Sequence, residues 1–171
     1  MVTTERLIIK PLNLQQLQKY SLTDGSLEEE LQTNYTTRTI AFELQEALEQ
    51  TIIPKINEHK SDYLYATLWV IIAADSNYLI GDLCFIGEPN EEGEIEIGYG
   101  IYEAFRNQGY MKEAINGMIQ WASKQNRVKS IVAHTTKSNQ ASFILLQKNN
   151  FVKIEELEFL YKWQYILEKQ V

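Results

Sequence analysis

The first third of the chain carries its apolar residues mainly at helical spacing. Between Ile40 and Glu58 they recur close to the stripe of an amphipathic helix. Pro54 lacks the amide hydrogen that a helix interior needs, so we expect it to kink this helix or to end its first part. The pattern predicts, in order, a strand at residues 6–12, a short helix at 14–20, helical fragments and loop at 23–38, and the interrupted helix at 40–58.

From residue 68 onward, apolar residues form short runs that are typical of strands. The first three runs are separated by turn-forming residues, which predicts an antiparallel meander. The whole order of elements predicts an α/β fold, a mixed sheet flanked by helices with a strand–helix–strand crossover near its centre. The predicted strands lie at 68–74, 79–86, 94–102, 130–134, 152–154 and 160–167, and the predicted helices at 109–125 and 140–148.

Composition and charge restrict the class of protein. A chain of 171 residues with 44% hydrophobic residues fits a single domain over residues 1–171. The net charge is −7 without a basic stripe, so we expect no nucleic-acid partner. A negative surface favours cationic substrates such as amines, although solubility alone explains the charge more simply.

The same residues give expectations about the protein's surroundings. No apolar run approaches the roughly 20 residues that span a bilayer, and the first residues lack a signal-peptide pattern, so no membrane partner is expected. Cys84 is the single cysteine and has apolar neighbours, so we expect a buried strand cysteine in a reducing, cytoplasmic compartment.

The segment from Arg106 to Met111 is the first candidate for chemistry. It connects a predicted strand to a predicted helix, so its backbone amides lie at the positive end of the helix dipole. Gly109 allows close approach of a phosphate, and Arg106 adds a charged donor. The alternative is a plain strand-to-helix connection in which the glycine only satisfies the turn.

Two blocks of sequence resemble the GCN5-related N-acetyltransferase (GNAT) family, most closely the branch of the ribosomal-protein N-terminal acetyltransferases. The first block is Glu96-Ile97-Gly98-Tyr99-Gly100-Ile101, then Phe105-Arg106-Asn107-Gln108-Gly109-Tyr110-Met111, then Glu113-Ala114. The second is Asn139-Gln140-Ala141-Ser142, then Lys148-Asn149-Asn150-Phe151. Arg6-Leu7 and Leu79-Ile80-Gly81 also fit strands of that branch. Met111 replaces the usual Gly or Ala, and Asn150 replaces a Gly but tolerates the left-handed conformation that ends a helix.

The resemblance implies a mostly antiparallel sheet with one parallel pair of strands that splays apart to admit acetyl-CoA. It implies that the backbone of Tyr99 and Ile101 holds the pantetheine arm and that Asn139 and Ser142 contact it. An amide near Tyr99 would polarise the thioester carbonyl. The implied turn for the pyrophosphate comprises Arg106, Asn107, Gln108, Gly109, Tyr110 and Met111.

The reaction implied by the resemblance is direct acetyl transfer to a primary amine, which must lose a proton to attack. Glu96 is the predicted catalytic base, although an exposed strand carboxylate is the plainer interpretation. His134 is a weaker candidate, more simply explained as a packed or hydrogen-bonded residue, and His59 as a surface residue. Some family members protonate the thiolate with a tyrosine, where this chain has Leu146.

Several alternatives stay open on the sequence alone. The acceptor could be a protein N-terminus, a polyamine, an amino sugar or another small amine. A non-catalytic acyl-CoA-binding module and a generic α/β interaction domain are the competing functions. No metal is expected, because the histidines and the cysteine lack ligand spacing, and a homodimer is possible by family analogy.

Overall fold

Eight strands join into one sheet in the computed structural model, which describes residues 1–58 and 63–168. His59 therefore lies outside the described residues. The strands are β1 (Val2–Thr3), β2 (Leu7–Pro11), β3 (Leu68–Ala73), β4 (Leu79–Phe85), β5 (Glu94–Ile101), β6 (Ser130–Thr136), β7 (Val152–Glu156) and β8 (Leu160–Ile166). Their order in the sheet is β1-β2-β3-β4-β5-β6-β8-β7.

Helices cover both faces of this sheet. One face carries α5 (Tyr110–Ser123) and α6 (Gln140–Lys148), and its core includes Trp69, Met118 and Trp163. The opposite face carries α1 (Leu14–Leu22), α2 (Ser26–Leu31), α3 (Phe42–Ala47) and α4 (Ile53–Glu58). Short 3-10 turns lie at Tyr63–Tyr65 and Glu103–Phe105. Within the described residues, no helix combines the length and the apolar character that crossing a bilayer requires.

The parallel pair at the centre of the sheet determines where a site can form. β2 to β5 pair antiparallel in succession, and α5 then crosses over so that β6 runs parallel to β5. The pairing of β5 with β6 is confined to Glu94–Glu96 opposite Ser130–Val132. Beyond Glu96 the two strands separate. The predicted mixed sheet, its meander and its splayed parallel pair are therefore confirmed.

The predicted helix at 40–58 is interrupted, as Pro54 led us to expect. It consists of α3, a π-helical turn at Leu48–Ile52, and α4. The amide of Ile53 donates to the carbonyl of Leu48, five residues back, just before Pro54, which has no amide hydrogen to donate. The π-helical turn thus accommodates Pro54 at the point where a regular helix would need its amide hydrogen.

Two features differ from the sequence interpretation. The edge strand β1 was not predicted, because two residues are too few to show an alternating pattern. Cys84 is only partly buried, because its side chain lies on the face of β4 opposite that of Leu83 and Phe85, which are buried. Burial still raises the pKa of its thiol to about 11.

Candidate active site

The turn before α5 has the backbone geometry of an anion-binding site. Asn107 and Gly109 adopt positive φ angles of 60° and 80°. Gly109 is the N-cap of α5, and the amide of Glu113 makes the first helical bond, to the carbonyl of Gly109 at 3.2 Å. The amides of the first turn of α5 therefore have no acceptor within the helix, and they point toward the space in front of it.

Met111, where the family has a small residue, does not obstruct this turn. Its side chain is 6% exposed and packs into the core beneath α5. Its amide belongs to the first turn of the helix, among the groups without an intrahelical acceptor. The departure from the family pattern is thus accommodated by burying the larger side chain.

The N-terminal segment is fastened to the turn by a carboxylate on α5. Glu113 accepts hydrogen bonds from the hydroxyl of Thr4 at 2.6 Å, and from the amide and Nε of Arg6 at 2.7 Å each. The Arg6 guanidinium also donates to the carbonyl of Gln108 at 3.1 Å and lies over the Tyr110 ring. Burial alone would raise the pKa of Glu113, but the bonds from Thr4 and Arg6 outweigh it and lower this pKa. The sequence showed no sign of this contact.

A cleft of about 750 Å³ lies between the end of β5, the first turn of α5 and the length of α6. Every predicted cofactor residue except Gln108 lines it: Tyr99, Ile101, Arg106, Asn107, Gly109, Tyr110, Met111, Asn139 and Ser142. Gln108 instead uses its side chain to bond the carbonyl of Ala104 at 3.3 Å. Lys112 and Lys148, which sequence reasoning passed over, also line the cleft. With Arg106 they give a cationic wall in a chain of net charge −7.

The start of α6 is built from the second sequence block. The side chain of Asn139 caps the helix by accepting from the amide of Ser142 at 3.0 Å. The hydroxyl of Tyr99 is buried without a hydrogen-bond partner of normal geometry among the described residues. Burial raises the pKa of Tyr99, and the nearby Ser142 side chain opposes that shift. Two hydroxyl groups thus lie together at the α6 wall of the cleft.

The end of α6 also follows the prediction. Asn150 has a φ of 62°, so it adopts the left-handed conformation expected of it. The amide of Phe151 donates to the carbonyl of Leu146, and the amide of Asn150 donates to that of Gln147, both at 3.0 Å. This is the Schellman arrangement, in which glycine is the usual residue. Leu146 itself is fully buried.

Glu96 and His134, which the sequence presented as separate candidates, form a pair. The Nδ1 atom of His134 lies 2.8 Å from Oε1 of Glu96, and both side chains are about one-third exposed, at 30% and 32%. The parallel register explains the pair, because Glu96 lies opposite Val132 and His134 is the next β6 residue on the same face. When Nδ1 donates its hydrogen to the carboxylate, Nε2 is left with a free lone pair.

Comparison with known proteins places this geometry in a family. Residues 6–152 match the family model described as an acetyltransferase (GNAT) domain. The chain belongs to the GNAT family. The predicted family, its N-acetyltransferase class and its acetyl-CoA donor are thereby confirmed at the level of the family.

One curated relative matches this GNAT domain over part of its length. YjdG, an uncharacterised N-acetyltransferase of Bacillus subtilis, is 32% identical over 98 residues, which cover 57% of this chain and 58% of that protein. The match thus spans little more than half the length of that curated relative.

Two solved structures with bound coenzyme A share the fold. The ribosomal L7/L12 α-N-protein acetyltransferase RimL in complex with coenzyme A has a TM-score of 0.67 at 17% identity, covering 98% of this chain and 97% of that chain. Spermidine N-acetyltransferase from Vibrio cholerae in complex with coenzyme A and spermine has a TM-score of 0.67 at 16% identity, covering 97% and 98%. At identities this low the comparison shows a shared fold only, and the acceptor of the present GNAT domain stays open.

A buried polar cluster that sequence reasoning missed lies on the face of the GNAT sheet that carries α1 to α4. Asp82 on β4 accepts from the Tyr20 hydroxyl at 2.8 Å, and the Tyr102 hydroxyl lies 3.5 Å from that of Tyr20. Arg38 forms a buried ion pair with Glu28 and lies over the Tyr20 ring. Burial raises the pKa of Asp82 to about 6, although hydrogen bonds from both tyrosines oppose the shift. Asp82 stands in an apolar strand sequence, which gave no sign of its polar neighbours.

Proposed function

We propose that this protein transfers the acetyl group of acetyl-CoA directly to a primary amine, within a complex that holds both substrates. The acceptor class comprises protein N-termini, polyamines and other small amines. The observation that carries the proposal is the cleft along α5 and α6, whose lining on β5 begins at Tyr99, just beyond the point where β5 and β6 separate. The Glu96–His134 pair lies at that point, on the opposite face of the sheet. Donor site and proton acceptor would thus face each other across the opening between the two strands.

The donor would bind along the wall of this cleft. The free amides at the start of α5 are suited to the pyrophosphate, and Arg106, Lys112 and Lys148 supply positive charge around it. Beyond Glu96, the edge of β5 has no β6 partner in the described chain, so the backbone of Tyr99 and Ile101 can pair with the pantetheine arm. This arrangement would place the thioester next to the separation point.

The chemistry needs a neutral amine, because an ammonium group has no lone pair. In the proposed reaction the amine nitrogen attacks the thioester carbonyl carbon and the carbon–sulfur bond breaks. The amine proton passes to the Glu96–His134 pair, either on the carboxylate or on the free Nε2. An amide near Tyr99 would stabilise the oxyanion, and the Ser142 hydroxyl could donate to the departing sulfur.

Release of coenzyme A measured with acetyl-CoA and a panel of amines tests this proposal. The panel should include polyamines, aliphatic monoamines, an amino sugar and peptides with free N-termini. Acceptor-dependent release of the thiol, with acetylated product seen by mass spectrometry, is the expected result.

Leu146 supports the non-catalytic alternative, because it occupies the position at which some family members have the tyrosine that protonates the thiolate. It predicts that acetyl-CoA binds while no amine accelerates thiol release. Binding without release across the whole panel would therefore replace the enzyme by an acyl-CoA-binding module. Absence of coenzyme A binding would reject both functions.

A further inference from the structure

Two glycines leave a strip of β5 uncovered on the face that carries Glu96. Gly98 and Gly100 share this face with Glu96, because side chains alternate along a strand. On β4, Cys84 lies opposite Gly98 and Asp82 lies opposite Gly100. Neither glycine has a positive φ, so the backbone conformation does not demand a glycine at either position. Their small size instead keeps the strip open.

The carboxylate of Asp82 lies directly beside this strip. A Cβ atom added at Gly100 would stand 3.6 Å from Oδ1 of Asp82, so no side chain separates that oxygen from the strip. The other oxygen, Oδ2, accepts from Tyr20, and Tyr102 also hydrogen-bonds to this carboxylate. Gly100 also lines the donor cleft, which brings the strip to the edge where the thioester is proposed to lie.

Asp82 forms no salt bridge within the part of the chain that the structure describes. Asp82 is only 7% exposed, and the nearby cation Arg38 is paired with Glu28, although it still attracts the Asp82 carboxylate at longer range. A buried carboxylate without an ion-pair partner is unfavourable, and a bound cation would relieve that cost. The position therefore suits a cationic ligand.

We propose that the acceptor is a short diamine or polyamine, and that Asp82 binds its second ammonium group while the first amine reacts near Gly98. This proposal rests on the proposed function. Gly98 and Gly100 are two residues apart, so the reacting point and Asp82 are separated by roughly 7 Å along the strand. A short aliphatic diamine such as 1,4-diaminobutane spans that distance, and the net charge of −7 favours its approach.

The test compares 1,4-diaminobutane with butylamine, which has the same carbon chain and only one amine. The readout is the ratio of the two kcat/KM values in the wild type and in Asp82→Asn. A charge-assisted hydrogen bond predicts that the wild type prefers the diamine by about 10- to 100-fold, through KM. Asp82→Asn should lose this preference while butylamine turnover and the KM for acetyl-CoA stay the same.

A second pair of variants keeps the carboxylate and changes only its access. Gly100→Ala would place a methyl group 3.6 Å from Oδ1 of Asp82, in ordinary contact, and should reduce the diamine preference. Gly98→Ala adds the same group beside Cys84 instead, at the reacting end that both amines share, so it should change the two kcat/KM values alike and leave their ratio close to that of the wild type. Both alanines fit the backbone, so failure to fold is not expected of either.

The outcomes separate the two proposals. No acetyl transfer to any amine would reject the proposed function itself. Transfer without a diamine preference, transfer to peptides alone, or a preference that survives Asp82→Asn would overturn the role of Asp82 and leave the acetyltransferase in place.

Discussion

Replacing Asp82 by asparagine should stabilise the protein, and the gain should depend on pH. Burial raises the pKa of this carboxyl from 3.8 to about 6, so the native state retains a proton that the unfolded chain releases. The stability due to that proton is complete below pH 3.8 and is lost as the pH rises through about 6. The difference between the two pKa values corresponds to about 3 kcal/mol at pH 8 and to about half of that at pH 5.

Asparagine removes this cost because it cannot ionise, and its carbonyl oxygen can still accept from Tyr20. We expect Asp82→Asn to gain up to about 3 kcal/mol at pH 8 and about half as much at pH 5. Urea unfolding of both proteins at both pH values measures this, and comparing the two proteins at each pH cancels groups that titrate equally in both. Of the groups that face Asp82, the tyrosines Tyr20 and Tyr102 have raised pKa values and stay neutral at both pH values.

Glu94→Gln provides the control, because Glu94 is a carboxylate that already has a partner, Lys162 Nζ at 3.0 Å. It should gain no stability at either pH. A gain in Asp82→Asn that is the same at pH 5 and pH 8 would refute the reasoning. So would a variant less stable than the wild type at pH 8, because either result would mean that burial does not disfavour the native carboxylate.

Three further predictions concern the turn, the base and the end of α6. Gly109→Val should weaken coenzyme A binding, measured by calorimetry, because valine disfavours the φ of 80° at this position. Gly87→Val is the control for backbone strain, because Gly87 has a φ of 88° and open surroundings, and this variant should bind coenzyme A normally. Glu96→Gln should lower kcat by ~10²–10⁴-fold at neutral pH with the KM for acetyl-CoA unchanged, whereas Glu94→Gln should keep its rate; equal rates in the two variants would exclude Glu96 as the base. Asn150→Ala should cost about 1 kcal/mol in thermal unfolding because its φ is 62°, and Asn150→Gly should not; equal melting temperatures would contradict this.

The parts of the fold that were predicted correctly are those encoded by neighbouring residues. The turn that leads into α5, the start of α6 at Gln140 and the left-handed Asn150 each depend on a few consecutive positions. Local propensity and the family's blocks carry that information, so the sequence alone was enough to predict these features. An interruption of the helix at Pro54 was predicted, but the π-helical turn that makes it was not.

The features that escaped prediction depend on pairings between distant parts of the chain. Glu113 and Arg6 are 107 residues apart, and no local pattern indicates that they meet. Glu96 and His134 are 38 residues apart, and their contact follows only from the parallel register of β5 and β6. The Asp82 carboxylate lies beside the strip only because the antiparallel register places it opposite Gly100. Register is a tertiary property that a single sequence does not reveal.

The chemistry of Cys84 makes the thiol assay selective for the product. Cys84 is the single cysteine, and burial raises the pKa of its thiol to about 11. At pH 8 roughly one molecule in a thousand would carry the reactive thiolate. A chromogenic disulfide reagent would therefore react far more slowly with Cys84 than with released coenzyme A, so continuous assays can run at high enzyme concentration with a low blank.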